Sequence, residues 1–174
     1  MKVLIWSLLL IVSTSLYATE GNFPKCSLSE KVIFECKINT KRALLCGSYG
    51  ERVQYYYRFG SPQKTELELP NSADESSNFF RLASHPTPGG NVSYIHFSNN
   101  GYEYYFLDDS SKLADKSFSP ISQLVIFRGF KKIKSLICEN DDSGINEDAY
   151  INMSRELYMY PDDKWSHLQK RPLP

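Results

Sequence analysis

Residues 30–138 consist of short runs in which hydrophobic and polar residues alternate, separated by clusters rich in Gly, Pro, Asn and Ser. An alternation with a period of two is typical of a strand with one buried face, and such clusters end strands. The predicted strands are 31–38, 42–46, 52–59, 65–69, 78–83, 92–98, 102–108 and 123–138, the last broken near Gly129. Their even spacing predicts a mainly β fold, a small antiparallel β-barrel or sandwich.

The pair Asn100-Gly101 is the sharpest local signal in the chain. Both central residues of a type I′ turn need a positive φ angle, which Asn and Gly adopt most readily. A two-residue loop at this point pairs residues whose numbers sum to 201 and gives the hairpin two faces. The face predicted to line the core carries Ile95, Phe97, Tyr104 and Phe106. The opposite face is too apolar to be left bare, so its residues Tyr94, His96 and Tyr105 are candidate binding residues.

Two further segments carry candidate contact residues. The polar side of the run 52–59 carries the stripe Arg52, Tyr56 and Arg58. Tyr and Arg are enriched among the residues that dominate binding energies, although a solvated sheet face can have the same composition. The Pro- and Gly-rich segment 84–91 is predicted to be a flexible loop, and His85 within it is the other candidate.

The pattern changes to helical spacing near the C-terminus. Residues 145–160 are predicted to form a helix. The apolar stripe of this helix carries Ala149, Met153, Leu157 and Tyr160. We expect the helix to dock on the second face of the 92–108 hairpin. Residues 161–174 are predicted to be a flexible tail, which leaves 19–160 as one β-rich domain.

The first eighteen residues are predicted to be a cleavable signal peptide. Lys2 precedes a hydrophobic run of about ten residues, about half the length needed to cross a bilayer, and a small-residue region ends at Ala18. No other hydrophobic segment of membrane length follows. The sequence therefore predicts a periplasmic or secreted protein with no membrane span after cleavage.

Four cysteines remain after the predicted cleavage site, and an even number in an exported chain indicates two disulfides with three possible pairings. The alternation at 32–38 turns Cys36 inward on the first strand, and Cys138 ends the last one. A Cys36–Cys138 bridge would then join these two strands, and a Cys26–Cys46 bridge would hold the N-terminal segment. The spacing does not favour zinc, because the chain has no C-x-x-C pair with a nearby His.

Composition and motifs offer little support for a catalyst. The 20 Lys and Arg residues balance the 20 Asp and Glu residues, so no strong field favours nucleic acid. Gly47-Ser48-Tyr49-Gly50 lacks the spacing of a nucleophile elbow, and the three histidines match no metal motif. The acidic segment 139–147 lacks the final Glu of a calcium loop, although calcium binding there stays open. We therefore predict no catalytic residue, no metal and no cofactor.

Several short strings give the chain a distant resemblance to a known family. They are Phe34-Glu35-Cys36, Cys46, Gly101-Tyr102-Glu103-Tyr104 and Lys134-Ser135-Leu136-Ile137-Cys138. They resemble small bacterial periplasmic proteins of unassigned role and, more distantly, the periplasmic and membrane-bound inhibitors of c-type lysozyme. That resemblance implies a small antiparallel barrel whose first strand is bridged to its last. The inhibitory Ser-Gly-x-x-Tyr loop of that family is not matched at 89–94, so no inhibitory residue is carried over.

The leading hypothesis from the sequence is an exported module that binds another protein. Its partner would be a peptidoglycan-targeting hydrolase or toxin, which it would inhibit or neutralise as an immunity protein. The alternative is a β-barrel that binds a small ligand or an envelope glycan in an aromatic-lined interior. A hydrolase with an unrecognised site that uses His96 is the third hypothesis.

Overall fold

The computed structural model describes residues 23–48, 53–71, 79–87, 89–110, 120–139 and 144–156. The elements in the first half of these ranges are β1 (Glu30–Ile38), β2 (Lys41–Ser48), β3 (Gln54–Ser61), β4 (Lys64–Leu69) and β5 (Arg81–Thr87). The elements in the second half are β6 (Gly90–Asn99), β7 (Tyr102–Asp109), β8 (Ile121–Arg128), β9 (Lys131–Ile137), β10 (Gly144–Ile145) and the helix α1 (Glu147–Glu156).

The strands form two antiparallel five-stranded sheets. The order in the first sheet is β10-β1-β2-β3-β4, and the order in the second is β5-β6-β7-β8-β9. The predicted mainly β fold is confirmed, and of the two architectures considered the sheets form the sandwich rather than a closed barrel. Each sheet is built chiefly from neighbours in sequence, because short hairpin turns join most successive strands.

The core lies between the two sheets and is filled with aromatic side chains. Phe34 of the first sheet stacks on Phe106 of the second with ring centroids 4.7 Å apart. Tyr57 packs against Phe97 at 4.9 Å, also across the two sheets. The space that would have held a ligand inside a barrel is therefore occupied by side chains.

The hairpin around Asn100-Gly101 has the predicted register. Ile95 pairs with Phe106 and Phe97 pairs with Tyr104, as the sum of 201 requires. Asn100 and Gly101 have φ angles of 51° and 74°, the positive values of a type I′ turn.

The segment 84–91 differs from its prediction. It belongs mostly to β5 and β6, which pair as far as Thr87 and Gly90, so it is a tight hairpin and not a protruding loop. Gly89 turns the chain with a φ angle of 77°. Proline at position 86 is tolerated because β5 is an edge strand of its sheet.

The C-terminal helix forms but docks elsewhere than predicted. Asn146 caps it, since its side-chain oxygen accepts a hydrogen bond from the backbone N–H of Ala149 at 2.9 Å. Ala149 and Met153 are buried in the core between the sheets, not on the second face of the 92–108 hairpin. The stripe residues Leu157 and Tyr160 lie outside the described residues.

Both predicted disulfides are confirmed. Cys26 is bonded to Cys46, and Cys36 is bonded to Cys138. The second bond joins β1 of the first sheet to the residue that follows β9 of the second, and so it ties the two layers together. Disulfides of this kind persist in oxidising compartments, as in secreted and periplasmic proteins.

Some predictions concern residues that the structure does not describe. The predicted signal peptide at 1–18, the tail at 161–174 and residues 140–143 of the acidic segment 139–147 lie outside the described residues. Among the residues that are described, no helix has the length and apolar character to cross a membrane.

Candidate functional site

Arg58 lies on the outer face of the first sheet, where two carboxylates hold its guanidinium group. Both terminal nitrogens contact the carboxylate of Glu30 on β1. Nε and Nη2 each lie 3.1 Å from Oε1 of Glu68 on β4. Arg58 therefore links its own strand β3 to the neighbouring β4 and, across β2, to β1.

The ion pair also changes the ionisation of Glu30. Burial acts to raise the pKa of Glu30, but hydrogen bonds from Arg58 and from the backbone N–H of Ser27 outweigh burial and lower that pKa below its ordinary value. Because the Arg58 side chain is 14% exposed and that of Glu30 only 5%, the pair is largely withdrawn from solvent. Arg58 thus has a structural role within the first sheet.

Of the other two members of the Arg-Tyr-Arg stripe, the structure describes only Tyr56. Tyr56 donates a hydrogen bond to the side-chain oxygen of Gln54 at 3.1 Å, and the Arg58 guanidinium lies 5.4 Å from the centre of its ring. Arg52 lies outside the described residues. The structure therefore brings Tyr56 and Arg58 together as predicted, in a contact within one strand.

The remaining four candidates come together on the outer face of the second sheet. His85 stacks on Tyr94 with ring centroids 5.9 Å apart, Tyr94 packs edge-on against Tyr105 at 5.5 Å, and His96 stacks on Tyr105 at 4.5 Å. Tyr94 and Tyr105 are buried, with 2% and 1% of their surface exposed. These two tyrosines belong to a second apolar cluster, which accounts for the hydrophobic character of this face.

His96 lies beside an acid but outside hydrogen-bond distance of it. Its Nε2 atom is 4.0 Å from Oε2 of Glu103, and the same carboxylate oxygen accepts a hydrogen bond from the hydroxyl group of Tyr105 at 3.2 Å. A hydrogen bond has a donor–acceptor distance of about 2.7–3.2 Å, so the 4.0 Å contact between His96 and Glu103 is not one. The side chain of His96 packs within the aromatic row.

A surface that the sequence analysis did not identify lies along β9. This strand is an edge of the second sheet and pairs with β8. We call the following exposed residues, on β9 and the turn before it, the β9 surface: Phe130, Lys131, Lys132, Ile133, Lys134 and Ile137. Its three large apolar side chains are 68%, 47% and 52% exposed, in that order along the chain.

The sequence does carry a signal for the β9 surface. In the string Lys131-Lys132-Ile133-Lys134 three lysines surround one isoleucine, which is an unusual composition for a buried strand. Alternation predicts one strand over 123–138 with a break near Gly129, and the structure divides this run at Gly129 into β8 and the edge strand β9. Only the sheet order shows that this half lies on the outside.

One group of potential metal ligands lies in the described part of the chain, at Cys26, Glu30 and Cys46. Both sulfur atoms of this group are joined in a disulfide and offer no thiolate to a metal. The group therefore does not favour a zinc site over the disulfide pairing.

Comparison with known proteins adds no relative to this description. No family model, no curated protein and no solved structure matches the chain.

Proposed function

We propose that this chain is an exported, non-catalytic protein-binding module whose partner docks on the β9 surface. The partner is a cell-wall-targeting hydrolase, which the module inhibits or neutralises. The observation that carries the proposal is the grouping of three exposed large apolar side chains with three exposed lysines on one edge strand.

The apolar residues of the β9 surface are the first part of the argument. Full burial of a large apolar side chain stabilises by about 1.5–3 kcal/mol, and because these side chains are about half to two-thirds exposed, a partner that covers them would recover a corresponding part of that free energy. Single exposed apolar residues are common on protein surfaces, whereas here three lie between positions 130 and 137 among exposed lysines, a composition more typical of an interaction site. Phe130 at the hairpin tip is an aromatic residue of the kind enriched in interface cores.

The lysines define what kind of partner fits. Three of the four residues from Lys131 to Lys134 are cationic, so a partner of complementary charge presents Asp or Glu at this edge. Two copies of the same edge would bring like charges together, which disfavours self-association. We therefore expect an acidic segment of another protein, docked alongside β9 through strand pairing and apolar contacts.

The scaffold around β9 is held in place before binding. Cys138 immediately follows the strand and is bonded to Cys36 on the first sheet. The backbone N–H of Glu139 donates a hydrogen bond to the carbonyl of Lys37 at 2.9 Å. An edge fixed at its end loses little conformational entropy on docking, which favours tight binding.

The test is direct binding to a panel of purified peptidoglycan hydrolases, including a c-type lysozyme because of the resemblance in sequence. Biolayer interferometry measures affinity, and an activity assay with each hydrolase measures inhibition. We expect at least one hydrolase to bind, with an affinity that falls as salt is raised, because salt screens the lysines. The protein alone should not cleave peptidoglycan.

A matched pair of variants locates the surface. The double substitution Phe130→Ser/Ile133→Thr should weaken binding at least tenfold, since each residue is an apolar anchor. The control Leu28→Ser/Val32→Thr changes two other exposed apolar residues, one before β1 and one near its start. This control should leave the affinity unchanged. A panel without any binder, or equal losses in the two variants, would contradict the proposal.

A further inference from the structure

A cavity lies between the second sheet and the segment formed by β10 and α1. Its volume is about 420 Å³, within the range of small-molecule sites. Residues of β5, β6 and β7 form one wall, and β10 and α1 form the other. The polar lining comprises Ser84, Asn91, Ser93, Asp108, Ser110, Glu147 and Tyr150, and the apolar lining comprises Ile145 and Ile151.

We propose that this cavity binds a neutral, hydroxyl-rich ligand, a saccharide. One wall of the cavity carries hydroxyl and amide groups, and the other carries a small apolar surface. These two walls match the two sides of a sugar ring, because its hydroxyl edge needs hydrogen bonds and its C–H face needs apolar contact. This inference is independent of the proposed protein partner, because it shares no residue with the β9 surface.

The polar wall is centred on the side chain of Asn91. Its amide nitrogen donates to Ser84 Oγ at 2.8 Å and to Ser93 Oγ at 2.7 Å. Its side-chain oxygen accepts a hydrogen bond from Ser84 Oγ at 3.0 Å. The backbone of Asn91 is held as well, because its N–H donates to Ser110 Oγ, which in turn donates to its carbonyl oxygen.

This arrangement orients the hydroxyl of Ser93. Ser93 Oγ accepts from the Asn91 amide, lies 3.4 Å from Ser84 Oγ and hydrogen-bonds the Tyr150 side chain, so at most one of its lone pairs is left for a ligand hydroxyl. Tyr150 of α1 completes the wall, with its hydroxyl donating to the carbonyl of Ala83 at 3.0 Å. Burial raises the pKa of Tyr150, so the hydroxyl stays protonated and neutral at physiological pH.

The acidic groups of the cavity do not indicate a cationic ligand. Asp108 is already bound inside the protein, since it accepts hydrogen bonds from Ser122 Oγ and from the backbone N–H of Ile145, each at 3.2 Å. Burial raises the pKa of Asp108 despite these bonds. Glu147 is exposed at the first turn of α1. Among the described residues that line the cavity none is a lysine or arginine, which favours a neutral ligand over an anionic one.

Gly144 explains how the second wall approaches the first so closely. A Cβ atom at this position would lie 3.1 Å from the carboxylate oxygen Oδ2 of Asp108, and the φ angle of 137° is one that glycine adopts readily. Glycine therefore lets β10 contact β7 directly and brings Ile145 opposite the hydroxyl wall. The cavity is built by backbone geometry on one side and by hydrogen-bonded side chains on the other.

The experiment is a titration of the full chain, followed by amide chemical shifts in NMR, with N-acetylglucosamine, glucose and chitobiose as separate probes. We expect at least one probe to shift the amides around Asn91, Ser93 and Ile145 at millimolar concentration, with no dependence on salt because the ligand is neutral. Spermidine serves as the cationic comparison. Absence of saccharide shifts up to about 50 mM, shifts elsewhere on the protein, or binding of spermidine alone would each overturn the proposal.

Two variants and a control test the assignment further. Ser93→Ala removes one hydrogen bond to the ligand and should weaken binding about five- to tenfold. Ser98→Ala, an exposed serine on the same strand β6, is the matched control and should bind normally. Ile151→Trp obstructs the cavity from a half-exposed helix position and should abolish binding even if Ser93→Ala impairs folding. Full affinity in Ile151→Trp would refute the site.

Discussion

The two disulfides close loops of very different length, and this difference makes a quantitative prediction. Cys36 and Cys138 are 102 residues apart, whereas Cys26 and Cys46 are 20 residues apart. A bridge that closes a longer loop removes more entropy from the unfolded chain. Replacing each pair by alanine should therefore destabilise the protein to different extents.

The expected magnitudes follow from loop closure. The loop-entropy relation gives about 4.7 kcal/mol for the Cys36–Cys138 bridge and about 3.3 kcal/mol for the Cys26–Cys46 bridge, a difference of about 1.4 kcal/mol. The cost of lost packing is similar in the two cases, because each bridge pairs a fully buried cysteine with a partly exposed one. The difference between the variants therefore isolates loop length.

Urea unfolding followed by far-UV circular dichroism, under oxidising conditions that keep the remaining bridge intact, measures the free energy of unfolding of both variants. We expect Cys36→Ala/Cys138→Ala to be the less stable by about 1.4 kcal/mol. If that variant is unfolded in water, a cooperative transition for Cys26→Ala/Cys46→Ala still satisfies the expected order. Equal stabilities, or the reverse order, would refute the reasoning.

Two further predictions concern charged groups. Arg58→Met should lower the free energy of unfolding by about 2 kcal/mol in urea titrations, because Glu30 keeps a largely buried charge without its partner. The double variant Arg58→Met/Glu30→Gln should recover part of this loss. Hydrolase binding should be unchanged. Asp108 has a raised pKa, so the folded state binds the proton more tightly than the unfolded state. Its contribution to stability is therefore present below its ordinary pKa and is lost as pH rises through the raised value, and Asp108→Asn should abolish this part of the pH dependence; an unchanged pH profile in that variant would contradict the assignment.

The register of the central hairpin was predictable because it depends on neighbours in sequence. Asn100 and Gly101 adopt the positive φ angles of their turn, and the pairing of Phe97 with Tyr104 follows from the loop length alone. Alternation likewise placed Cys36 on the inward face of β1, where it bonds to Cys138. Such features need only local backbone preferences and the period of two along a strand.

The roles of the candidate binding residues were less predictable. Sequence pattern put Tyr94, His96 and Tyr105 on one face and Arg58 on another, and the structure agrees with both placements. Pattern alone does not show that an arginine on an outer face is held by Glu30 and Glu68, since these residues are 28 and 10 positions away. Long-range pairing decides which exposed residue types remain accessible.

The sequence by itself determined most of the strands, the turn at Asn100-Gly101 and the apolar faces, because each depends on the chemistry of a few consecutive residues, and it favoured one of three possible cysteine pairings. Only the tertiary structure decided that the strands form two sheets, that α1 docks on the core, that β9 is an exposed edge and that a polar cavity lies beside Tyr150. These features depend on which distant elements meet, and that is set by the combined packing of both sheets. No single segment contains that information.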